Sequence, residues 1–275
     1  MGRNRVRNTY EHVRQKIQQG YGRGKGLSYK PWLTGHDFAS QGVYTRMMGL
    51  TIPRMYVFLS RLEADLFIYY DTDRDVTDIL DQYYMDLKLT LKLSESMGIQ
   101  HPWSDRYYHA MTADLVFQKD GVWHARSVKT SEELDNPRSI QKLRLEKAYF
   151  DELGIDWKIV TEREINRSKV QNLNWLYYTP QLEDLVASSS LQEKICLLFY
   201  QLYIVDSLPV PAVVDQVESL YNQPEGTGIA ALKALIRNGD ISVDLEKPLN
   251  LNDPLHPSDK EPAYARYLSY GKSGH

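Results

Sequence analysis

Residues 111 to 129 read MTADLVFQKDGVWHARSVK, and this stretch decides how the rest of the chain is interpreted. Two runs of alternating apolar residues flank Lys119-Asp120-Gly121, a tripeptide typical of a tight turn, so the stretch is predicted to form a β-hairpin. Because side chains alternate faces along a strand, we expect Ser127 and Lys129 on one face of the second strand. If Asp114 points to that face, a carboxylate and an ammonium meet beside a backbone carbonyl.

The composition is that of an ordinary globular protein. The chain has 275 residues, 42% hydrophobic and 25% charged, which is enough for a sizeable core and for two domains. Its single cysteine, Cys196, excludes an internal disulfide framework and a cysteine-rich zinc site. No signal peptide is apparent, and the most apolar run, residues 195 to 214, is interrupted by polar residues and prolines. We therefore expect a soluble, cytoplasmic protein without a membrane partner.

Positive charge is concentrated at the start of the chain. Residues 1 to 30 carry eight basic side chains and one acidic one; because the whole chain has a net charge of -3, the remaining 245 residues sum to -10. A basic arm on an acidic body indicates a polyanionic partner, and the alternative is a solvated tail that only aids solubility. Residues 9 to 19 are predicted to form a helix, and the following GYGRGKG a flexible basic loop. The residues assigned to DNA binding are Arg3, Arg5, Arg7, Arg14, Lys16, Arg23 and Lys25.

Before the hairpin, the pattern predicts two strands and a helix. Residues 44 to 48 and 54 to 58 are the predicted strands, and a helical pattern of buried residues begins at Ser60. Ser60 and Glu63 have the spacing of an N-terminal capping box. Glu63 therefore has two interpretations: the local sequence favours a capping residue, whereas the wider set of acidic residues favours a site residue.

The elements around the hairpin predict one mixed sheet with a helix packed on it. Residues 78 to 84 are a predicted strand, followed by a second alternation of apolar residues. After an acidic loop at 130 to 137, residues 138 to 153 are a predicted helix, and residues 156 to 161 a buried strand. Glu146 lies in the middle of that helix, where it either faces the hairpin or is solvated. Strand, hairpin, helix and strand together indicate a compact α/β core.

The last hundred residues have a helical composition that ends in a predicted strand. The final helix stops at Gly239, and residues 241 to 245 alternate as a strand would. Helices followed by a turn and a strand outline a winged helix, and the alternative is an all-helical protein-docking domain. The predicted helices span residues 172 to 178, 182 to 187, 191 to 206, 211 to 221 and 227 to 238.

The hairpin and the upstream helix can supply a site for phosphodiester hydrolysis. Divalent metal ions neutralise charge on the attacking and departing oxygens, and magnesium prefers carboxylate and carbonyl ligands. Asp114 and Glu63 are the predicted carboxylate ligands, and the Val128 carbonyl is the third oxygen. Lys129 is expected to orient the attacking water or to counter charge on the phosphate. The predicted cofactor is Mg²⁺, with Mn²⁺ as a substitute.

Asp114, twelve further residues and then Ser127-Val128-Lys129 resemble the PD-(D/E)xK nuclease signature. Ser127 stands where an acid or glutamine is usual, which makes Ser127 a doubtful metal ligand, and Ala113 replaces the proline. Linked motifs across residues 29 to 178 resemble, more specifically, the TnsA endonuclease family of heteromeric cut-and-paste transposons. These motifs are YxPWLT from Tyr29, LSxLE from Leu59, VxDI from Val76, QY from Gln82, MTxD from Met111, VK from Val128, KLRLEKAYF from Lys142, TxxEIN from Thr161 and NWLY from Asn174.

The resemblance implies specific roles and partners. The family's catalytic residues correspond to Glu63, Asp114 and Lys129, and its helix glutamate corresponds to Glu146, a tentative metal ligand. The implied substrate is double-stranded DNA at the transposon ends and in the flanking donor, which the family nicks at the 5′ ends of the transposon. A TnsB-type transposase is implied to cut and join the 3′ ends, and a TnsC-type ATPase regulator to contact the C-terminal domain.

The predicted fold is an α/β, restriction-endonuclease-like PD-(D/E)xK core with a mainly helical, winged-helix-like C-terminal domain. The predicted boundaries are residues 1 to 30 for the basic arm, 31 to 178 for the catalytic domain and 179 to 275 for the C-terminal domain. The competing hypothesis, prompted by Ser127, is a catalytically inactive DNA-binding or scaffold subunit. A generic restriction or repair nuclease is a third hypothesis.

The basic arm generates a prediction about salt dependence. Neutralising Arg3, Arg5 and Arg7 should weaken DNA binding without sequence preference, and should reduce the salt slope of the binding constant by about one phosphate contact per charge. The measurement is DNA affinity as a function of salt concentration, and an unchanged slope in the triple variant would refute the assignment.

Overall fold

The structure is a computed structural model, and it forms two compact units that meet in sequence between Ile165 and Asn166. The predicted arm residues Arg3, Arg5 and Arg7 lie outside the described residues. Among the described residues, no helix combines the length and the apolar composition that crossing a membrane requires. The structure describes residues 10–34, 44–104, 107–186, 188–199, 201–202, 206 and 208–252.

The first unit alternates short helices with the strands of one main sheet and two small hairpins. Its described helices are α1 (Tyr10–Gln18), α2 (Arg61–Asp71), α3 (Leu87–Ser96) and α4 (Pro137–Glu152), with 3₁₀ turns at Gly26–Ser28 and Ser131–Asp135. Its described strands are β1 (Thr45–Met48), β2 (Met55–Phe58), β3 (Val76–Met85), β4 (Trp103–Ser104), β5 (Tyr107–Tyr108), β6 (Met111–Lys119), β7 (Val122–Val128) and β8 (Asp156–Val160).

The predicted hairpin is confirmed as β6 and β7. Lys119 pairs with Val122, which leaves Asp120 and Gly121 as a two-residue turn. Both turn residues have positive φ angles, 50° and 77°, a conformation that favours Asp and Gly at these positions and matches the twist of the paired strands. The local sequence therefore fixes the register of the hairpin that carries Asp114.

The main sheet has the order β3-β6-β7-β8, and it is mixed as predicted. β3, β6 and β7 are antiparallel to their neighbours, whereas β8 pairs parallel to β7 after the chain crosses over through α4. Leu145 and Phe150 of α4 are fully buried against Ala113, Val116 and Ala125 of the hairpin. This packing fixes α4 against the sheet and places Glu146 beside the hairpin.

The β1–β2 hairpin and α2 form a second layer that an internal ion pair ties to β3. Arg54 Nη2 lies 2.8 Å from Asp81 Oδ1, and the Asp81 side chain is completely buried. Asp81 Oδ2 also accepts a hydrogen bond from the Val57 amide at 3.1 Å, and Arg54 donates to the Ile79 carbonyl at 2.8 Å. These contacts hold the chain that leads into α2, the helix that carries Glu63.

One segment next to the sheet takes an element that its pattern did not indicate, and one prediction is wrong. The apolar alternation after β3 forms helix α3, because the Asp86 side chain caps the amides of Lys88 and Leu89 and starts a helix there. The prediction of a buried strand at β8 is wrong: only Val160 at its end is buried, because β8 is an edge strand that pairs with β7 alone in the described sheet.

The basic loop after α1, predicted to be flexible, has backbone hydrogen bonds of its own. Arg23 and Lys30 form a bridge, and the Gly22 amide donates to the Lys30 carbonyl.

The described regular structure of the second unit is helical, and residues 239–252 are irregular. Its core includes the fully buried Ile195, Val213 and Leu235. α9 ends at Gly239, whose φ of 77° makes the left-handed cap that the sequence predicts. Its described α-helices are α5 (Arg167–Tyr177), α6 (Leu182–Leu185), α7 (Ser189–Phe199), α8 (Val210–Leu220) and α9 (Thr227–Asn238). The predicted boundary places α5 in the catalytic domain, whereas the structure places α5 in the second unit.

The predicted strand at residues 241 to 245 is wrong. This segment is irregular, with only an isolated bridge at Val243. The carbonyl of Leu245, the last residue of the predicted strand, and that of Lys247 accept hydrogen bonds from the Asn172 side-chain amide at 2.8 and 2.7 Å. Asn172 of α5 thus holds the chain just after the irregular segment. The described part of the second unit therefore has the predicted final helix but no strand at residues 241 to 245, and the winged helix stays a prediction.

The buried ion pair generates a stability prediction. Arg54→Met should lower the free energy of unfolding by about 3–5 kcal/mol, because it leaves the buried Asp81 carboxylate without its counter-charge. The matched control is Lys147→Met, which breaks the exposed ion pair with Asp151 on α4 and should cost less than about 0.5 kcal/mol. Denaturant unfolding measures both variants, and equal losses would contradict the role of the buried pair.

His101 generates a prediction about pH. Its side chain is buried with Nε2 3.0 Å from Thr90 Oγ1, and burial lowers the pKa of His101, outweighing the opposite effect of the Pro102 carbonyl. The unfolded chain, with a histidine pKa of about 6.5, therefore takes up a proton before the folded protein does. Stability from His101 should be complete above about pH 6.5 and should be lost as the pH falls toward the folded pKa.

Unfolding free energies of wild type and His101→Gln between pH 5 and 8 measure this contribution. The difference between the two proteins should shrink, or change sign in favour of the variant, as the pH falls below about 6.5. A difference that stays constant over the range would contradict the prediction.

Candidate active site

Asp114 and Lys129 meet as the hairpin prediction requires. Asp114 Oδ2 lies 3.5 Å from Lys129 Nζ and accepts a hydrogen bond from the Val128 amide at 2.7 Å. Lys129 Nζ also donates to the Val128 carbonyl at 2.6 Å. The Lys129 amide bonds to the Val160 carbonyl at 3.1 Å, which extends the pairing of β7 and β8 by one step. The carboxylate, the ammonium and the carbonyl are therefore adjacent at the end of β7.

The structure supports both interpretations of Glu63, as a residue at the helix cap and as a residue near Asp114. It sits in the first turn of α2, where its amide donates to Ser60 Oγ at 3.1 Å and its carboxylate accepts from Ser60 Oγ and from the Leu59 amide at 2.9 and 3.0 Å. Ser60 therefore caps α2, and the Glu63 carboxylate bonds to the Ser60 hydroxyl and to the amide of the preceding residue, Leu59. Burial, together with the negative charge of Asp114, raises the pKa of Glu63 to about 7. The cap thus holds Glu63 at the site rather than away from it.

Glu146 faces the hairpin, so the solvated alternative is wrong. Its side chain is buried, and its carboxylate accepts a short hydrogen bond from Ser127 Oγ. Ser127 Oγ in turn accepts a hydrogen bond from Trp157 Nε1 at 2.9 Å. Burial and the charge of Asp114 raise the pKa of Glu146 to about 7. Ser127 therefore contacts the site through Glu146.

The site is crowded with negative charge around one ammonium. Burial raises the pKa of Asp114 even though Lys129 and the Val128 amide oppose that shift. For Lys129, burial acts to lower the pKa, but the nearby carboxylates of Asp114, Glu146, Glu133 and Glu63 raise it above its ordinary value. Lys129 is consequently an ammonium at neutral pH, and the acidic groups exceed it in number.

The donor atoms fit a divalent cation in their chemistry. Among the residues that the structure describes, no three Asp, Glu, His or Cys side chains are arranged around one point as a metal site. The carboxylates of Asp114 and Glu63 and the Val128 carbonyl each accept a hydrogen bond from a protein donor. These three groups are nevertheless hard oxygen donors in a site with excess negative charge, which is the combination that Mg²⁺ and Mn²⁺ prefer.

The predicted DNA-binding residues divide into two groups. Arg14, Arg23 and Lys25 are exposed on α1 and the following loop. Lys16 is instead buried: its Nζ donates to the Trp32 carbonyl at 2.8 Å and lies over the ring of Trp32 at 5.3 Å. Because Lys16 is buried, it is not placed to contact a DNA phosphate, contrary to the prediction.

Two residues of the site were missed by the sequence interpretation. Trp157 donates to Ser127, and Gln82 Nε2 donates to Glu63 Oε2 at 3.3 Å. Both contacts join elements that are far apart in the chain, so no local pattern of residues indicates them. Gln82 was noted only as part of a family motif.

Comparison with known proteins identifies the family. A family model described as "TnsA-like endonuclease N terminal" matches residues 73–162, and one described as "TnsA endonuclease C terminal" matches residues 164–245. The chain is 30% identical over 243 residues to "Transposon Tn7 transposition protein TnsA" of Escherichia coli, covering 87% of this chain and 88% of that protein. The chain belongs to the TnsA endonuclease family.

The TnsA assignment agrees with the resemblance seen in the sequence motifs and with the nuclease-like α/β core. The N-terminal TnsA model includes Asp114, Lys129 and Glu146, whereas Glu63 precedes the matched residues. The two TnsA models meet at residues 162 to 164, close to the structural boundary after Ile165. The two halves of this TnsA-family chain thus correspond to the two compact units.

Proposed function

We propose that this protein is a metal-dependent DNA endonuclease that nicks the 5′ ends of a transposon during cut-and-paste transposition. The observation that carries the proposal is the adjacency of Asp114, Lys129 and the Val128 carbonyl in a TnsA-family core. The buried Glu63 carboxylate, whose pKa the charge of Asp114 helps to raise, completes the set of groups. Carboxylates that share one ammonium are suited to binding a divalent cation beside a phosphodiester.

Each residue has a defined task in this proposal. Asp114, Glu63 and the Val128 carbonyl hold the Mg²⁺, or Mn²⁺ in its place. The bound cation supplies charge neutralisation at the phosphate and lowers the pKa of water. Lys129 acts as an ammonium and not as a base, so it orients the attacking water or a phosphate oxygen through its protons. Glu146 holds its position through Ser127 and adds negative charge near Lys129.

We propose partners from the family relationship. The E. coli relative is by its name a transposition protein of transposon Tn7. The proposed substrate is double-stranded DNA at the transposon ends and the flanking donor sequence. A TnsB-type transposase is the proposed partner for the 3′ ends, and a TnsC-type ATPase regulator the proposed partner of the second unit.

A catalytically inactive DNA-binding or scaffold subunit is the second candidate. The observation that favours it is Ser127, which stands at the usual ligand position and bonds to Glu146 instead. Mn²⁺ calorimetry on wild type and on Asp114→Ala separates the candidates. An endonuclease should bind Mn²⁺ and lose affinity in the variant, whereas a wild type without metal binding would support the scaffold.

The proposal predicts the effect of single substitutions on nicking. With the partner transposase and transposon-end DNA, Lys129→Met should reduce the rate of 5′ nicking by about 10²- to 10³-fold, the usual cost of losing one charged group at a transition state. Asp114→Ala should reduce it at least as much, because it removes a proposed metal ligand. Lys147→Met, which neutralises an exposed lysine on α4, is the matched control and should nick at the wild-type rate. Full activity in Asp114→Ala would reject the site, and end mapping of the product identifies the cut strand.

A further inference from the structure

Gln82 has a backbone conformation that is unusual for its place in the fold. It lies inside β3, is buried, and has a φ angle of +47°. Residues other than glycine rarely adopt positive φ, least of all within a strand, and they persist there only when the surroundings enforce it. Such outliers concentrate at functional sites, so the surroundings of Gln82 need an explanation.

The register places Gln82 opposite Asp114. Asp81 pairs with Leu115 and Tyr83 pairs with Ala113, so Gln82 and Asp114 lie across from each other between these two pairs. The Gln82 carbonyl accepts a hydrogen bond from the Trp32 amide at 3.2 Å. The unusual conformation is therefore on the neighbouring strand, directly beside the proposed metal ligand.

The positive φ changes which way the side chains of β3 point. In a regular strand, Asp81 and Tyr83 would share one face and Gln82 would take the other. In the structure, Asp81 bonds to β2 and Gln82 bonds to α2, while Tyr83 joins the hydrophobic cluster that contains Phe150 of α4. Two consecutive side chains thus reach the layer formed by β2 and α2, which a regular strand does not allow.

The amide of Gln82 has a fixed orientation. Thr112 Oγ1 donates to Gln82 Oε1 at 3.3 Å, so the NH₂ group is turned toward Glu63 Oε2, also at 3.3 Å. Thr112 lies two residues before Asp114 on β6. The other donors to the Glu63 carboxylate, Leu59 and Ser60, belong to the cap of its own helix. Gln82 instead links Glu63 to the sheet.

We propose that Gln82 is a positioning residue that holds the Glu63 carboxylate in a fixed relation to Asp114. The chain of contacts runs from Asp114's own strand through Thr112 and the Gln82 amide to Glu63. This inference rests on the proposed metal-dependent nuclease function, because it assigns Gln82 the task of orienting one of the two carboxylates for the cation. The positive φ of Gln82 directs its side chain toward α2, where it can reach Glu63.

The test uses Gln82→Asn, because asparagine tolerates positive φ but its side chain is one methylene shorter and cannot reach Glu63. Loss of a residue that orients a metal ligand usually weakens metal binding by about 10- to 100-fold. We therefore expect Mn²⁺ affinity, measured by calorimetry, to fall by that factor while the protein stays folded by circular dichroism. The rate of nicking should fall through kcat rather than through KM for DNA. Gln118→Asn is the matched control, because Gln118 lies on the adjacent strand and its described hydrogen bonds, to the Gly121 carbonyl at 3.0 Å and from Thr77 Oγ1 at 3.4 Å, involve none of the proposed site residues.

Thr112→Val provides a second variant of nearly unchanged shape. It removes the hydroxyl that orients the Gln82 amide and should weaken Mn²⁺ binding by a smaller factor, about 2- to 10-fold, the range for one neutral hydrogen bond. Gln82→Asn added to Glu63→Gln should cause no further loss, because Gln82 acts through Glu63.

Wild-type Mn²⁺ affinity in both Gln82→Asn and Thr112→Val would overturn the role of Gln82. A loss in Gln82→Asn that persists at full size in the Glu63→Gln background would also overturn it. Failure of the proposed function is recognised separately, because wild type itself would then neither bind Mn²⁺ nor nick transposon-end DNA.

Discussion

The ion contact between Lys129 and Asp114 is the constraint on which the first unit depends. The charges of Glu63, Asp114 and Glu146 all act on this one ammonium, and burial raises the pKa of each of the three carboxyl groups. Buried charges are tolerated only where counter-charges and hydrogen-bond donors are fixed in place. The cap of α2, the Val128 amide and the Ser127 hydroxyl supply those donors. Much of the local structure around the hairpin can therefore be understood as support for charges that a hydrophobic core would reject.

The pairing register of the sheet strands, rather than the loops, places the charged side chains close together. The two-residue turn at Asp120 and Gly121 sets the pairing of β6 with β7, and the crossover through α4 sets β8 beside β7. Asp114 and Lys129 come from paired strands, and Glu146 comes from the crossover helix. Sites built on strands and helices are held more rigidly than sites on loops, which suits a reaction that needs accurately placed charges.

The elements that the sequence predicted well are those whose signals lie within a few residues. The tight turn, the Ser60 cap of α2 and the glycine at the end of α9 are of this kind. The structure also brings Asp114 and Lys129 together as the hairpin predicts, whereas the roles of Asp114, Lys129 and Glu63 at a metal site stay predictions. Prediction failed where the local structure depends on contacts between residues that are far apart in the chain. In the expected C-terminal strand, the Leu245 carbonyl accepts from the distant Asn172 side chain. Helix α3 is different, because its start is a local signal, the Asp86 cap, that the interpretation of the leucine alternation missed. Gln82 and Trp157 act across the fold, so their partners could not be inferred from spacing.

The hydrogen bond between the Lys129 amide and the Val160 carbonyl fixes the backbone of Lys129 independently of the loop that follows. Because that bond belongs to the β7–β8 ladder, the backbone of Lys129 is anchored before the chain enters the acidic 3₁₀ turn at Ser131–Asp135. The acidic turn therefore acts on Lys129 through charge rather than through the lysine backbone, because the Glu133 carboxylate of the turn helps to raise the pKa of Lys129. A substitution in the turn would thus change the electrostatic environment of the ammonium while its backbone anchor stays in place.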